Sequence, residues 1–241
     1  DVFSRDALDY LCKKLKLKNV RVFTSRIPLD LSYLFTLQEY DSDPKLHYVP
    51  RSPRKPAAIS DTRPVFAQVK AKDILLSYPF ESINLSFIRL LQECANDPKV
   101  TSIKITLYRL ARNSKVIDAL CTAAENGKEV LVMIELRARF DEENNIEWSK
   151  QLQEAGVKVI YGPKEYKAHS KLLLITRKAQ GGNFDYVTQI GTGNYNEKTA
   201  SLYTDLMLLT ADRDIAADAE AVFAGLLNGT FVEKTNKLLV S

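Results

Sequence analysis

The stretch "KEYKAHSKLLLITR", residues 164–177, places a histidine at the start of an apolar run. His169 is one of only two histidines in 241 residues, and Lys171 follows it at the second position. A neutral imidazole offers a nitrogen lone pair that can attack phosphorus, and a nearby ammonium can hold phosphate oxygens. A lone histidine at a strand end is more often a surface or satisfied core residue, so the pair needs further partners to indicate a site.

Such partners follow in "IGTGNYNEKTA", residues 190–200. Gly191 and Gly193 come after a predicted strand and are expected to bring backbone amides close to an anion, while Asn194 adds a side-chain donor. Asp205 lies on the next predicted strand. An acceptor on the second ring nitrogen would hold the imidazole and stabilise its cationic form, so Asp205 is the predicted partner of His169.

Two arginines complete the predicted constellation. Arg109 closes "KITLYR" and Arg139 follows "IELRA", each at the end of a predicted strand. Ligands of open α/β sheets bind outside the carboxyl ends of the strands, so both side chains are expected in one crevice. Guanidinium forks match phosphate oxygens, and phosphoryl transfer depends mostly on positioning and charge neutralisation.

The elements that must position these residues are predicted downstream of residue 71. Strands are predicted over residues 101–110, 128–136, 157–162, 170–177, 185–193 and 201–210, and helices over 113–127, 141–156 and 212–227. Alternation of strands and helices followed by a run of strands predicts an α/β sandwich with a mixed sheet, largely parallel in its first half. Trp148, on the second helix, is predicted to pack in the core.

The first part of the chain has a different pattern. Helices are predicted over residues 4–17 and 28–40, with a strand over 19–25. Five of the nine prolines then lie between Pro44 and Pro64, and their missing amide donors exclude a regular helix or an interior strand. We therefore assign residues 1–70 to the tail of a preceding domain plus a connector that contains His47, and residues 71–241 to the catalytic domain.

Composition excludes few functions. The chain is 45% hydrophobic and 27% charged, as in ordinary globular proteins. Its net charge of +4 is uneven, because residues 1–70 hold 13 Lys and Arg against 8 Asp and Glu. An excess of this size supports polyanion binding only weakly.

Location is predicted from the cysteines and from the absence of targeting signals. Cys12, Cys94 and Cys121 lack metal-ligand spacing and are predicted to be buried free thiols in a reducing cytosol. No apolar run approaches the about 20 residues of a membrane span, and no signal-like segment opens the chain. The predicted location is cytoplasmic, with a peripheral position at the inner membrane left open. A chain that opens on Asp1 is expected to be a piece of something longer.

The pairing of H-x-K with a downstream G-x-G-N resembles half of the phospholipase D superfamily site, which normally needs two such halves. In the superfamily, four residues usually separate the lysine from an Asp, and at the position of that Asp this chain has Thr176.

That departure, together with several longer segments, resembles the histidine-phosphorylating polyphosphate kinase family of bacteria. The segments are "TLYRLARNSKVIDAL", "ELRARFDEENNIEW", "AGVKVIYG", "IGTGNYNEKTASLYTD" and "LLTADRDIAAD". The similarity runs from about Asp73 to near Leu226. The resemblance implies a phospholipase D-like α/β/α sandwich, preceded by the helical and strand tail of another domain.

The resemblance also implies roles at matching positions. His169 is in the place of the histidine that becomes phosphorylated, and Tyr203 matches a tyrosine that contacts the nucleotide. Arg109 and Arg139 match arginines of a magnesium-phosphate site. Because arginine is not a metal ligand, these two are expected to grip phosphates that chelate Mg²⁺, the implied cofactor. ATP, ADP and inorganic polyphosphate are the implied partners, no nucleic acid is expected, and the full-length protein is expected to be a homo-oligomer.

The leading hypothesis is therefore a polyphosphate kinase fragment that transfers the γ-phosphate of ATP through His169 to a polyphosphate end, reversibly. As an isolated fragment it is expected to be inactive or nearly so. One alternative is a phospholipase D-type phosphodiesterase or nuclease half-site completed by dimerisation. The other is a non-catalytic module that binds polyanions.

Overall fold

The computed structural model describes residues 4–18, 22–23, 25–27, 30–49, 51–108, 114–135, 142–162, 168–232 and 234–240, without the side chains of residues 38 and 142–146. The chain forms two compact units, Asp1–Arg51 and Ser52–Ser241. The catalytic residues predicted from the sequence belong to the second unit.

The first unit contains helices α1 (Arg5–Lys14) and α2 (Leu37–Tyr40), with 3₁₀ turns at Ser32–Thr36 and Pro44–Leu46. Of the helix predicted over 28–40, the described residues form an α-helix at Leu37–Tyr40 and a 3₁₀ turn at Ser32–Thr36. The predicted strand over 19–25 falls largely outside the described residues. In the first unit, Nε2 of His47 lies 3.0 Å from the carbonyl oxygen of Asp41. Cys12 is partly exposed, so the prediction that all three thiols are buried is wrong for it.

The second unit begins well before the predicted boundary at residue 70. Helix α3 (Val65–Ala71) follows Pro64, and its residues Val65, Phe66 and Val69 are buried in the main core. Apolar burial explains the difference, because these side chains lose contact with water only against the sheet domain. Among its described residues, the proline-rich stretch forms no regular strand and no helix longer than the 3₁₀ turn at Pro44–Leu46, as predicted.

Seven strands form one mixed sheet in the order β1-β7-β6-β5-β2-β3-β4. They are β1 (Ile74–Tyr78), β2 (Val100–Leu107), β3 (Glu129–Ile134), β4 (Lys158–Tyr161), β5 (Leu172–Lys178), β6 (Phe184–Gly191) and β7 (Asp205–Thr210). β2, β3 and β4 are parallel, and the other neighbouring pairs are antiparallel. The predicted α/β sandwich with a parallel first half is confirmed.

Helices cover both faces of this sheet. They are α4 (Arg89–Asn96), which continues a π-helical turn at Asn84–Ile88, α5 (Lys115–Glu125), α6 (Glu142–Glu154), α7 (Glu197–Ala200) and α8 (Arg213–Asn228). α5 begins where the Ser114 hydroxyl accepts the amide of Val116. α8 packs on the opposite face through Ala219 and Phe223. Trp148 is buried in the main core, as predicted. Within the described residues, no helix combines the length and apolar character needed to cross a membrane.

The strand directions bring the predicted site residues to one edge of the sheet. The parallel strands β2 and β3 end there, and because β5 is antiparallel to β2, it begins there. By the same reasoning β6 ends at this edge and β7 begins at it. The histidine segment, the glycine loop and Asp205 are therefore neighbours although they are distant in sequence.

Candidate functional site

The segment that carries His169 is fixed by hydrogen bonds from two neighbouring strands. Thr106, in β2, donates its hydroxyl to the carbonyl of Ser170 at 2.8 Å and accepts the amide of Leu172 at 3.0 Å. Glu135, the residue after β3, accepts the amide of Ala168 through Oε2 at 2.9 Å. His169 lies between these anchors with its side chain exposed, so the nucleophile predicted from the sequence is accessible and its backbone is held.

Lys171 is close to the histidine and almost fully buried, with 5% exposure. Its Nζ donates to the carbonyl oxygen of His169 at 2.5 Å and lies 5.2 Å from the centre of the Tyr108 ring. Burial lowers the pKa of Lys171 to about 8, and the negative charge of Asp205 opposes that shift. The structure thus places the predicted cation beside the predicted nucleophile.

Tyr108 and Glu135 are site residues that the sequence analysis missed. The Tyr108 ring meets the His169 ring edge to face, with centroids 4.9 Å apart and planes at 80°. Glu135 is a carboxylate with only 2% exposure. Both directly follow central strands, and an acid that interrupts a continuous apolar run was the available signal for Glu135.

Gly191 and Gly193 were predicted to bring backbone amides close to an anion, but in the structure both contribute more directly to packing. The amide of Gly191 donates to the carbonyl of Lys171 at 3.1 Å, so it completes the sheet and is not free to hold a phosphate oxygen. At Gly193, an added Cβ would lie 2.4 Å from Oδ2 of Asp205. Glycine is therefore required at this position because the Asp205 carboxylate occupies the space of a side chain.

Asp205 lies at the start of β7 and accepts the hydroxyl of Thr192 through Oδ1 at 2.8 Å. The negative charge of Asp205 raises the pKa of Lys171, against the effect of burial, so Asp205 stabilises the Lys171 ammonium. Its role in orienting His169 stays a prediction. Asn194, the predicted side-chain donor, has a buried Oδ1 that accepts no hydrogen bond from the described residues.

His169 and Lys171 lie at the polar end of a cleft of about 510 Å³. The opposite wall comes from α8 and the segment after it, and it is apolar. Its lining residues are Val222, Leu226, Thr230, Phe231, Val232, Leu238, Leu239 and Val240. The segment is held by Asp218, a buried residue of α8 that accepts the backbone amides of Asn236, Lys237 and Leu238.

The remaining predicted residues are placed less completely. Arg109 and Arg139 lie outside the described residues, so their expected position in the crevice stays a prediction. Tyr203 is in the turn before β7 and is 62% exposed. In the described part of the chain, no group of three or more His, Cys, Asp and Glu side chains could hold a metal ion.

Comparison with known proteins places the chain in a family. A polyphosphate kinase from Pseudomonas putida is 41% identical over 239 residues, which cover 99% of this chain and 33% of that protein. The chain thus spans about a third of the length of the curated relatives it matches.

Solved structures agree with this. The crystal structure of a polyphosphate kinase from Porphyromonas gingivalis superimposes with a TM-score of 0.75 at 29% identity, over 98% of this chain and 36% of that one. NucT from Helicobacter pylori shares the fold, with a TM-score of 0.51 at 16% identity over 65% of this chain and 96% of that one.

The model of the family described as "Polyphosphate kinase C-terminal domain 1" matches residues 64–231. That range includes the whole sheet and every described site residue named above except those of the cleft wall after Phe231. Because the match covers well over half of the chain, the chain belongs to the polyphosphate kinase C-terminal domain 1 family.

Proposed function

We propose that this chain is the part of a polyphosphate kinase that carries the phosphorylated histidine. The observation that supports the proposal best is the position of His169, exposed in a cleft with the buried Lys171 ammonium beside it. An imidazole that only stabilised the fold would not need an adjacent buried cation, whose burial carries a free-energy cost. Nucleophilic attack on a polyanionic phosphate does need one.

The proposed reaction has two displacements at one phosphorus atom. In the first, a nitrogen lone pair of His169 attacks the γ-phosphorus of ATP, a P–N bond forms, and the bond to the β,γ-bridging oxygen breaks to release ADP. In the second, a terminal oxygen of a polyphosphate chain attacks the same phosphorus. The P–N bond then breaks and its electron pair returns to the imidazole. Each step is reversible, because ADP and the polyphosphate end both present a terminal phosphate oxygen that can attack the phosphohistidine.

Each residue of the site has a proposed part in these steps. Lys171 holds non-bridging oxygens of the transferred group and offsets their charge. Asp205 holds the second imidazole nitrogen and stabilises the cationic ring as the P–N bond forms. Asn194, through its amide, and Gly193, through its backbone, contribute hydrogen bonds to the same group. Tyr203 contacts the nucleotide.

Mg²⁺ is the proposed cofactor, and its place is on the phosphates. Bound there, it would neutralise part of the charge of the triphosphate. Arg109 and Arg139 are proposed to grip the phosphates that chelate it, because guanidinium groups donate to oxygen and do not ligate metals. The proposed partners are ATP, ADP and inorganic polyphosphate, and no nucleic acid is proposed. We propose that the whole protein is a homo-oligomer. Its proposed location is the cytoplasm, with a peripheral position at the inner membrane left open.

The test is labelling of the whole protein with γ-³²P-ATP and Mg²⁺. We expect a label on His169 that is acid-labile and stable to alkali, and that is lost in His169→Ala. His47→Ala is the matched control, because His47 is the other histidine of this chain and lies in the first unit. A label that persists in His169→Ala, or that survives acid, would exclude the proposal.

We also propose that the 241-residue chain alone does not sustain polyphosphate synthesis. It spans about a third of its relatives, and its cleft leaves the histidine side chain exposed to water. A phosphoryl group on an open histidine is surrounded by water, and in that high dielectric the charges that act on it are weakened. A linear rate equal to that of the whole protein would contradict this.

A further inference from the structure

We propose that Tyr108 is a positioning residue whose aromatic ring holds the His169 imidazole and the Lys171 ammonium in a fixed relation. The inference rests on the proposed function, because it assigns Tyr108 to the phosphorylation of His169. It is carried by the two ring contacts, the first with the imidazole at 4.9 Å and the second with Nζ of Lys171 at 5.2 Å.

The ring can act as a fixed support because the two residues before it are hydrogen-bonded to the segments beside β2 on either side. Thr106, two residues earlier, is hydrogen-bonded to the histidine segment at Ser170 and Leu172. The carbonyl of Leu107 accepts the amide of Glu135 from the neighbouring strand end. Tyr108 is thus tied to the same segment whose side chains it contacts, and the separation of the three side chains is set by the sheet.

Each contact has a physical consequence for the reaction. An edge-to-face aromatic pair restricts the rotation of the imidazole, and a cation over a ring face is attracted by the quadrupole of the ring. The ring face also compensates in part for the water that the Lys171 ammonium loses on burial. Without the ring, the imidazole is free to turn and the ammonium loses one of its supporting groups.

The experiment compares Tyr108→Phe with Tyr108→Leu in the whole protein. Phenylalanine keeps the ring face and removes only the hydroxyl, whereas leucine keeps a large apolar side chain and removes the ring. We expect Tyr108→Phe to phosphorylate His169 within about threefold of the wild-type rate. We expect Tyr108→Leu to be about 10- to 100-fold slower, with little change in the KM for ATP.

A second readout separates positioning from general structural support. Among the described residues, the Asp205 carboxylate and the Tyr108 ring act on the Lys171 ammonium from neighbouring strands. Loss of the ring should destabilise the cation, so the alkaline limb of the phosphorylation rate should move to lower pH by about 0.5 unit in Tyr108→Leu. The limb should not move in Tyr108→Phe.

The matched control is Tyr186→Leu, since Tyr186 is also a partly buried tyrosine but packs on the α8 side of the sheet. It should lose thermal stability while its alkaline limb stays in place. The imidazole NMR signals of His169, assigned by their absence in His169→Gln, should lose their ring-current shift in Tyr108→Leu alone.

The outcomes are distinguishable. An unlabelled His169 in the wild-type protein would remove the proposed function itself. Normal labelling with a Tyr108→Leu rate and alkaline limb like those of the wild type would overturn only the role of Tyr108. Equal losses in Tyr108→Phe and Tyr108→Leu would also overturn it, because they would assign the effect to the hydroxyl.

Discussion

Replacement of Gly193 by alanine should inactivate the site by moving Asp205. A Cβ at this position would lie 2.4 Å from Oδ2 of Asp205, 2.5 Å from Cγ and 2.8 Å from Cβ. The clash therefore involves the whole Asp205 side chain, and rotation of the carboxylate alone does not relieve it. Either the loop or the aspartate has to shift.

The size of the shift follows from these distances. Non-bonded carbon atoms are comfortable at about 3.5–4.0 Å, so the side chain or the loop must move by about 1 Å. A displacement of about 1 Å in a catalytic site costs about a hundredfold in rate. If Asp205 orients His169, we therefore expect Gly193→Ala to slow phosphorylation of the histidine by about a hundredfold.

The assay is the initial rate of acid-labile labelling from γ-³²P-ATP in the whole protein. Gly182→Ala is the matched control, because Gly182 lies in an exposed turn where an added Cβ meets nothing within 4 Å. Its φ of +78° makes alanine strained there, so the control should lose some stability without losing rate. A double substitution adds a sharper test: in Asp205→Gly the clash is gone, and Gly193→Ala should then cost little more.

Two results would refute this reasoning. Labelling of Gly193→Ala within about threefold of wild type would show that the contact tolerates the methyl group or that Asp205 has no part in the reaction. Fully additive losses in the double variant would show that the two residues act independently, and the proposed link from Gly193 through Asp205 to His169 would fail.

Three further outcomes are expected from other contacts of the site. Burial lowers the pKa of Lys171 to about 8, so the rate of histidine phosphorylation should fall as pH rises through about 8 and the ammonium loses its charge. In Lys171→Arg this fall in rate at alkaline pH should be absent, because arginine stays charged. In Gly162→Ala the added Cβ would lie 2.8 Å from Oε2 of Glu135, the atom that accepts the amide of Ala168 in the histidine segment. Phosphorylation should therefore slow by about tenfold with little loss of stability. An unchanged rate would contradict the role of Glu135. Burial raises the pKa of Asp218, but the backbone amides that donate to its carboxylate lower that pKa by more, to about 2. Its contribution of about 2 kcal/mol is present above pH 4 and lost as pH falls toward 2, so Asp218→Asn should lower the thermal midpoint by about 5 °C at pH 7 and by much less at pH 2.5.

Much of the second unit could be predicted because its sequence follows simple patterns. The apolar run within residues 128–136 predicted the strand observed as β3, and the helix predicted over 113–127 is observed as α5. β1 was missed, because it is an edge strand with its last residues in a polar and proline-containing stretch. α3 was assigned to the connector, since its burial depends on tertiary contacts that local sequence does not contain.

The site was predicted as a set of residue types and only partly as a set of contacts. His169, Lys171 and Asp205 were predicted because the H-x-K pair is followed by a glycine loop and an acidic residue at the ends of later strands, and this combination indicates phosphate chemistry. Tyr108 was not found, because a tyrosine next to an arginine has no signature until the fold shows what its ring contacts. The role of Gly191 was misjudged for a similar reason, since its amide is used by the sheet ladder.

The antiparallel half of the sheet explains why residues so far apart in sequence form one site. In a purely parallel sheet only the carboxyl ends of strands meet at the ligand edge, and each is followed by a crossover. Here β5 and β7 are antiparallel to β2, so they begin at the edge where β2, β3 and β6 end. The first residues of β5, next to Lys171, and of β7, at Asp205, therefore lie at that edge. A shift of one residue in the pairing of β5 with β2 would turn each β5 side chain to the other face and break both bonds of Thr106. The hydroxyl of Thr106 therefore links the register of the sheet to the position of the nucleophile. Thr106→Val, which keeps the shape and removes the hydroxyl, should slow phosphorylation of His169 by about tenfold or more while the core stays packed, and an unchanged rate would show that the ladder alone holds the register.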